Sequence, residues 1–275
     1  MDIAQLGLGL VLSVGIGGLA YWRRSLTQSG WLGAVIVGTL TFGFGGWSWG
    51  LTLIAFFVTS TILSHYKESL KERKAAEKFA KGGRRDLWQT FANGGLGALC
   101  AAAYALTGQP VTLLAAFAGF MATVTADTWA TELGVLSPHK PRLITNGRPV
   151  DPGTSGGITV FGTSASAIGA LLIGTIFFVL LVIEGAPAAS TWWVIPASLI
   201  GGVGGALIDS LMGATVQAIY AYPDGRETER RVARDGRPTT FLRGWQWLNN
   251  DMVNLISSVA GALLAILTGL ALGAW

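Results

Sequence analysis

Apolar runs of about membrane-spanning length recur from one end of this chain to the other, separated by short hydrophilic stretches. Hydrocarbon admits only backbones whose hydrogen bonds close internally, and runs this long close them as helices. The chain therefore reads as an all-α, polytopic integral membrane helix bundle. The first run, residues 3–21, ends in Trp22-Arg23-Arg24 and has no basic stretch before it, which predicts a retained span whose N-terminus lies outside. Residues 31–64 amount to two short spans once the Gly43-Phe44-Gly45-Gly46 break is counted. Further runs at 94–107, 111–136, 157–183, 192–220 and 251–272 bring the expectation to about eight spans, with both termini non-cytoplasmic. All 19 Lys and Arg residues then fall on one side, as the positive-inside rule asks.

On this reading residues 1–275 form one transmembrane domain with cytoplasmic loops at 66–90, 137–156 and 221–250. Trp22, Trp31, Trp88, Trp245 and Trp247 fall at the inner boundary, and Trp47, Trp49, Trp192, Trp193 and Trp275 at the outer one, where amphipathic rings belong. The first loop interleaves Lys67, Lys71, Lys74, Lys78 and Arg85 with Glu68, Glu72 and Glu77. Glu77 precedes Lys81 by four residues, and Gly82-Gly83 follows, which predicts a solvated helix extending the third span. The basic balance, pI 9.4, could suit nucleic acid, but the cations line one membrane surface, so the lipid bilayer is the expected partner and no nucleic acid is. A single cysteine, Cys100, excludes a disulfide framework and a cysteine metal site.

Polar residues then gather at one depth. Asn93 opens the fourth span, Asp127 and Glu132 close the fifth, and Gly153-Thr154-Ser155-Gly156-Gly157 opens the sixth. Asp209, Ser210 and Gln217 lie in the inner half of the seventh, and Asn250, Asp251 and Asn254 open the eighth. A carboxylate within a span costs about 2.5–3.5 kcal/mol on insertion scales, so such groups face a cavity, a partner or an ion. Asp127, Glu132, Asp209 and Asp251 are the candidate ligands of a hard cation, Mg²⁺ being the best fit beside phosphates. Asp127, Glu132, Asn93 and Asp209 are the candidate catalytic groups. Asp127 and Glu132 lie about 140° apart on an ideal helix, so their convergence needs a break or a second helix. The glycine turn, Gly153 to Gly157, offers backbone N–H groups and a helix N-terminus to phosphate, with Lys140, Arg142 and Arg148 as clamps. Ser210, Gln217, Asn250 and Asn254 are placed to orient an acceptor. Each piece also has a plainer reading: Gly156-Gly157 as packing glycines, Asp209 and Asn254 as interhelical hydrogen-bond partners.

Four motifs carry a resemblance over nearly the whole chain: A-D-T-W-A-T-E-L-G at 126–134, P-G-T-S-G-G-I-T at 152–159, G-G-A-L-I-D-S-L-M-G-A-T-x-Q at 204–217, and W-L-N-N-D-M-V-N-L at 247–255. Together they resemble the phytyl-phosphate kinase family of plastids and cyanobacteria. Asp127-x-x-Ala130-x-x-x-Gly134 is similar, more loosely, to CTP-using segments of polyprenol kinases and phosphatidate cytidylyltransferases. The resemblance implies Mg-dependent phosphoryl transfer from a nucleoside triphosphate, with CTP as co-substrate, to phytyl phosphate. The product would be phytyl diphosphate for tocopherol-type synthesis, in an inner, plasma or thylakoid-type membrane with the site facing the cytoplasm. Lipid-phosphate cytidylyl transfer and ion-coupled transport are the alternatives.

Overall fold

The computed structural model describes residues 3–75, 77–79, 83–233 and 235–275, and places a helix on every apolar run. In chain order come α1 (Ile3–Trp22), α2 (Gln28–Gly45), α3 (Trp47–His65), a short α4 (Glu68–Ala75), α5 (Leu87–Leu106) and α6 (Val111–Gly134). Strands β1 (Arg142–Leu143) and β2 (Gly157–Ile158) lead into α7 (Val160–Ile183), α8 (Ala188–Thr191) and α9 (Val194–Thr215). The strands β3 (Ile219–Ala221), β4 (Glu227–Thr228) and β5 (Thr240–Arg243) precede α10 (Asn250–Ala271). The protein is a mostly helical integral membrane bundle. Among the described residues six helices are long and apolar enough to cross a membrane: α1, α3, α6, α7, the α8–α9 stretch and α10. Helices α2 and α5 have the length, 18 and 20 residues, but Gln, Ser, Thr, Asn and Gly dilute them.

Local chemistry sets the boundaries. Gly46 separates α2 from α3 at φ +82°, a conformation that glycine adopts without strain. Helix α5 begins earlier than its apolar run because Asp86 and Gln89 form a capping box, each side chain accepting the other's backbone N–H. Three expected boundaries are corrected. Span six does not open at Gly157: Thr159 is the N-cap, its hydroxyl accepting the Gly162 N–H at 2.9 Å. Span seven stops at Thr215, so Gln217 lies beyond the helix and Ile219–Ala221 is a strand. The charged stretch does not prolong α3, because Tyr66 is extended and Lys67 turns the chain at φ +50° before α4 starts. Lys81 and Gly82, invoked for that extension, lie outside the described residues.

Helix α6 occupies the centre. Every residue from Leu114 to Ala126 is buried, as a helix enclosed on all sides requires, and α3, α5, α7, α9 and α10 pack around it. Small residues permit the closest crossings: a Cβ on Gly201 of α9 or on Gly119 of α6 would stand 2.6 Å from Gly261 O of α10. Two tryptophans expected at the outer interface are core instead. Trp49 is 1% exposed, with ring centroids 4.1 Å from Phe117 and 5.9 Å from Phe177, and Trp193 is 3% exposed. Both start helices whose first turns face α6 and α7 or α10, so aromatic packing outweighs interfacial solvation there.

The two ends of the bundle differ. At one end Glu184 accepts the Ser48 N–H at 2.9 Å. At the other all the basic loops meet: Thr27 N–H donates to Arg85 O at 3.0 Å, Lys78 Nζ to Thr154 Oγ1 at 2.8 Å, and Glu229 N–H to Lys78 O at 2.9 Å. The antiparallel pair β1–β2 and the antiparallel sheet β4–β3–β5 belong to this end.

Candidate functional site

Helix α6 runs unbroken through its last turns to Gly134, so Asp127 and Glu132 face different walls of the space beneath the basic loops. Glu132 is committed to structure. Its Oε1 accepts from Ser64 Oγ at 2.6 Å, and its Oε2 pairs with Lys71. Lys71 Nζ also donates to Leu63 O and Ser64 O, at 2.7 Å each, so all three ammonium hydrogens are used and the C-terminus of α3 is capped. The expectation that Glu132 joins Asp127 as a metal ligand is thereby corrected: its carboxylate holds α4 and α3 against α6.

Asp127 instead looks toward α9 and the last basic loop. Asp127, Asp209 and Glu229 lie close enough to repel one another. Asp209 Oδ2 accepts from Ser257 Oγ at 3.0 Å and from the Asn254 amide at 3.1 Å, and that amide also donates to Asn250 O at 3.1 Å. Glu229 Oε1 accepts from Ser155 Oγ and Gln217 Nε2, at 2.9 Å each. Among the described residues neither Asp127 nor Asp209 has a Lys or Arg within ion-pairing distance. Uncompensated carboxylates at the end of a membrane helix bundle are costly, and the arrangement invites a cation.

These groups line a cavity of about 250 Å³, many times what one water needs. Of the residues expected from sequence, it brings together Asn93, Asp127, Glu132, Asp209, Ser210, Gln217, Asn250, Asn254 and the whole turn Gly153, Thr154, Ser155, Gly156 and Gly157. Ser166 also lines it, its hydroxyl buried and without a partner among the described residues.

Three expectations do not survive the geometry. Lys140, Arg142 and Arg148 are exposed and outside the cavity lining, with Arg142 donating to Gly147 O at 2.9 Å to hold its own hairpin. Asp251 also lies outside the lining, in the first turn of α10. The glycine turn is not the N-terminus of α7. Gly153 and Gly156 adopt φ +80° and +82°, but the Thr154 and Gly157 N–H groups close turns onto Asp151 O and Thr154 O, so neither N–H is free for an anion. Among the described residues no group of three or more His, Cys, Asp or Glu is gathered closely enough to hold a metal by itself.

The residues that sequence reasoning missed are Arg85, Glu229, Ser64, Lys71 and Lys78. Lys71, Lys74 and Lys78 have a signal, since spacings of three and four put them on one side of a helical stretch. Lys74 Nζ donates to Val135 O at 3.2 Å, and Lys78 reaches Thr154 and stands 3.7 Å from Asp151, so these side chains tie the first basic loop to residues that line the cavity. Glu229 sits among arginines in a loop without periodicity, and nothing local distinguishes it.

Residues 11–262 match the family described as "Integral membrane protein DUF92". The chain is 33% identical to Protein PGR of Arabidopsis thaliana over 94% of either chain. It is 31% identical to an uncharacterized membrane protein of Methanocaldococcus jannaschii, covering 89% of this chain and 86% of that one. It is 27% identical to Protein VTE6, chloroplastic, of Arabidopsis thaliana, covering 88% of this chain and 65% of that one. No solved structure matches.

Proposed function

The chain belongs to the DUF92 family of integral membrane proteins, and on that footing we propose that it is a prenyl-lipid phosphate kinase. The observation that carries the reading is the pair Asp127 and Asp209, without a basic partner among the described residues, beside Glu229 in a polar cavity at the end of a membrane bundle. Carboxylates without a cation suit a substrate that brings one, and a nucleoside triphosphate arrives with Mg²⁺. The donor set fits such an ion: Mg²⁺ takes one or two carboxylates and completes its shell with water and phosphate oxygens, so three converging protein ligands are not required. Asp127 and Asp209 would hold it, and bound there it would offset negative charge on the triphosphate.

This chain's own groups provide position. Ser257 and Asn254 fix Asp209, and Ser155 and Gln217 fix Glu229, so the carboxylates are oriented before substrate enters. Asn93 and Asn250 face the same space and orient the acceptor. An ionised oxygen of the lipid monophosphate attacks the γ-phosphorus. The bond from that phosphorus to the β–γ bridging oxygen breaks, and the nucleoside diphosphate leaves with the electron pair. The nucleophile is already an anion, so no general base is needed.

The fuller reading takes CTP as donor and phytyl phosphate as acceptor, giving phytyl diphosphate for tocopherol-type synthesis at a cytoplasm-facing site. The four motifs that resemble phytyl-phosphate kinases and the similarity to Protein VTE6, chloroplastic, support it. The test uses purified full-length protein in nanodiscs with phytyl phosphate, Mg²⁺ and CTP or ATP. Nucleoside diphosphate and phytyl diphosphate should form in equal amounts, with Asp127→Asn and Asp209→Asn lowering turnover at least about 100-fold. Release of pyrophosphate instead would mean cytidylyl transfer and overturn the kinase reading, as would the absence of nucleotide consumption.

A further inference from the structure

A second, apolar cavity lies among α1, α2, α3 and α5, lined by Leu12, Ile16, Val37, Phe42, Leu53 and Phe57 among others. It meets the polar cavity at Arg85, Gln89 and Asn93, which line both. Of these three only Arg85 is charged. Its backbone is fixed on both sides, N–H to Ser25 O and C=O from Thr27 N–H, at 3.0 Å each. Its guanidinium stands 5.8 and 5.4 Å from the ring centroids of Phe56 and Phe57, and NH1 donates to Thr61 Oγ1 at 3.2 Å. Among the described residues no carboxylate comes within ion-pairing distance of it. Burial pushes its pKa down to about 10, with the more distant Glu132 pulling the other way, so it remains a cation at neutral pH.

Arg85 is half-buried, and of the five N–H donors on its guanidinium one is engaged among the described residues, by the Thr61 hydroxyl. The neighbouring cations are occupied: Lys71 by Glu132 and two carbonyls, Lys78 by Thr154 and Asp151. A planar fork with free donors is suited to bidentate capture of a phosphate. The apolar cavity on its other side offers nothing to a hydrated inorganic ion.

We propose that Arg85 anchors the head of an amphiphile bearing one phosphate and one hydrocarbon chain, with the chain lying in the groove between α1, α2 and α3. This places the acceptor phosphate at the edge of the cavity that holds Asp127 and Asp209. The identity of that amphiphile as the acceptor rests on the kinase reading; its binding does not.

The experiment measures binding to the full chain in nanodiscs without nucleotide, using phytyl monophosphate, dimethylallyl monophosphate and inorganic phosphate. Arg85→Gln should weaken phytyl monophosphate about 10- to 100-fold, and Arg85→Lys, which keeps charge but loses the fork, less. Ala34→Phe narrows the apolar groove alone. It should weaken phytyl monophosphate about 10-fold and leave dimethylallyl monophosphate within about twofold. Unchanged phytyl affinity in Arg85→Gln overturns the proposal, as does a chain-length preference that Ala34→Phe leaves intact, or inorganic phosphate binding as tightly as the lipid. If Arg85→Gln fails to insert, the Arg85→Lys and Ala34→Phe comparisons decide alone. Binding as expected with no nucleotide-dependent product would refute the kinase reading and leave this site standing.

Discussion

Replacing Lys71 by Met tests whether the first basic loop is held by charge. Lys71 and Glu132 are 11% and 22% exposed at their side chains, so water screens the pair only in part. Removing one member of a fully buried pair costs about 3–5 kcal/mol, and the residual exposure here reduces that to about 2–4 kcal/mol. Glu132→Gln leaves Lys71 with two carbonyl acceptors and should cost about 1–3 kcal/mol. The double variant strands no charge, so its cost should approach the larger single value, a coupling of about 1–3 kcal/mol between the positions. The assay is a double-mutant cycle on reversible unfolding in mixed micelles, read at low and high salt. The coupling should persist at high salt, because a mostly buried pair is weakly screened. Additivity within about 0.5 kcal/mol would refute the idea that this pair pins α4 to α6.

Glu229→Gln keeps an acceptor for Ser155 and Gln217 and removes the charge, so turnover should fall about 10-fold or more in the same nanodisc assay. Gly156→Ala combines φ +82° with a Cβ 2.6 Å from the Ala214 backbone, and a thermal melt should register a loss of about 2 kcal/mol or more. Changing Lys140, Arg142 and Arg148 together to Ala should leave the nucleotide KM within about twofold, since none of them lines the cavity. Trp49→Ala should cost about 3–5 kcal/mol, whereas Trp47→Ala, at a residue 52% exposed, should cost under about 1 kcal/mol.

The helices were legible because the bilayer requires a long apolar run of each span, and composition alone reveals such runs. Their termini were less so. The Gly46 break could be read, since a glycine cluster between apolar runs has few other uses. The start of α5 could not be read from hydropathy, because Asp86 and Gln89 extend the helix through polar residues by capping it. Sequence placed the polar groups at one depth well and assigned their partners badly. Asp127 and Glu132 are neighbours in the chain, yet their angular separation sends them to different walls. Asp209, from a helix remote in sequence, is the carboxylate that shares the cavity with Asp127 and feels its charge.

The loops explain why. Read as topology, Lys71, Lys74 and Lys78 need only be positive and on one side, and any order of them would serve. Read as structure, each has a separate address: Lys71 on α3 and Glu132, Lys74 on Val135 O at the end of α6, Lys78 on Thr154 in the glycine turn. Orientation depends on how many Lys and Arg stand on each side and is blind to spacing, whereas these contacts depend on spacing. The same three lysines thus carry two kinds of information, and only the first is visible as composition. Arg85 follows the same logic. In the sequence it is one more cation in a basic run, but its backbone is clamped between Ser25 and Thr27, and that clamp carries its side chain inward. A cation that satisfies the topology from the surface has no need to turn inward, so the placement of Arg85 between the two cavities calls for a separate cause, and an anion entering there supplies one.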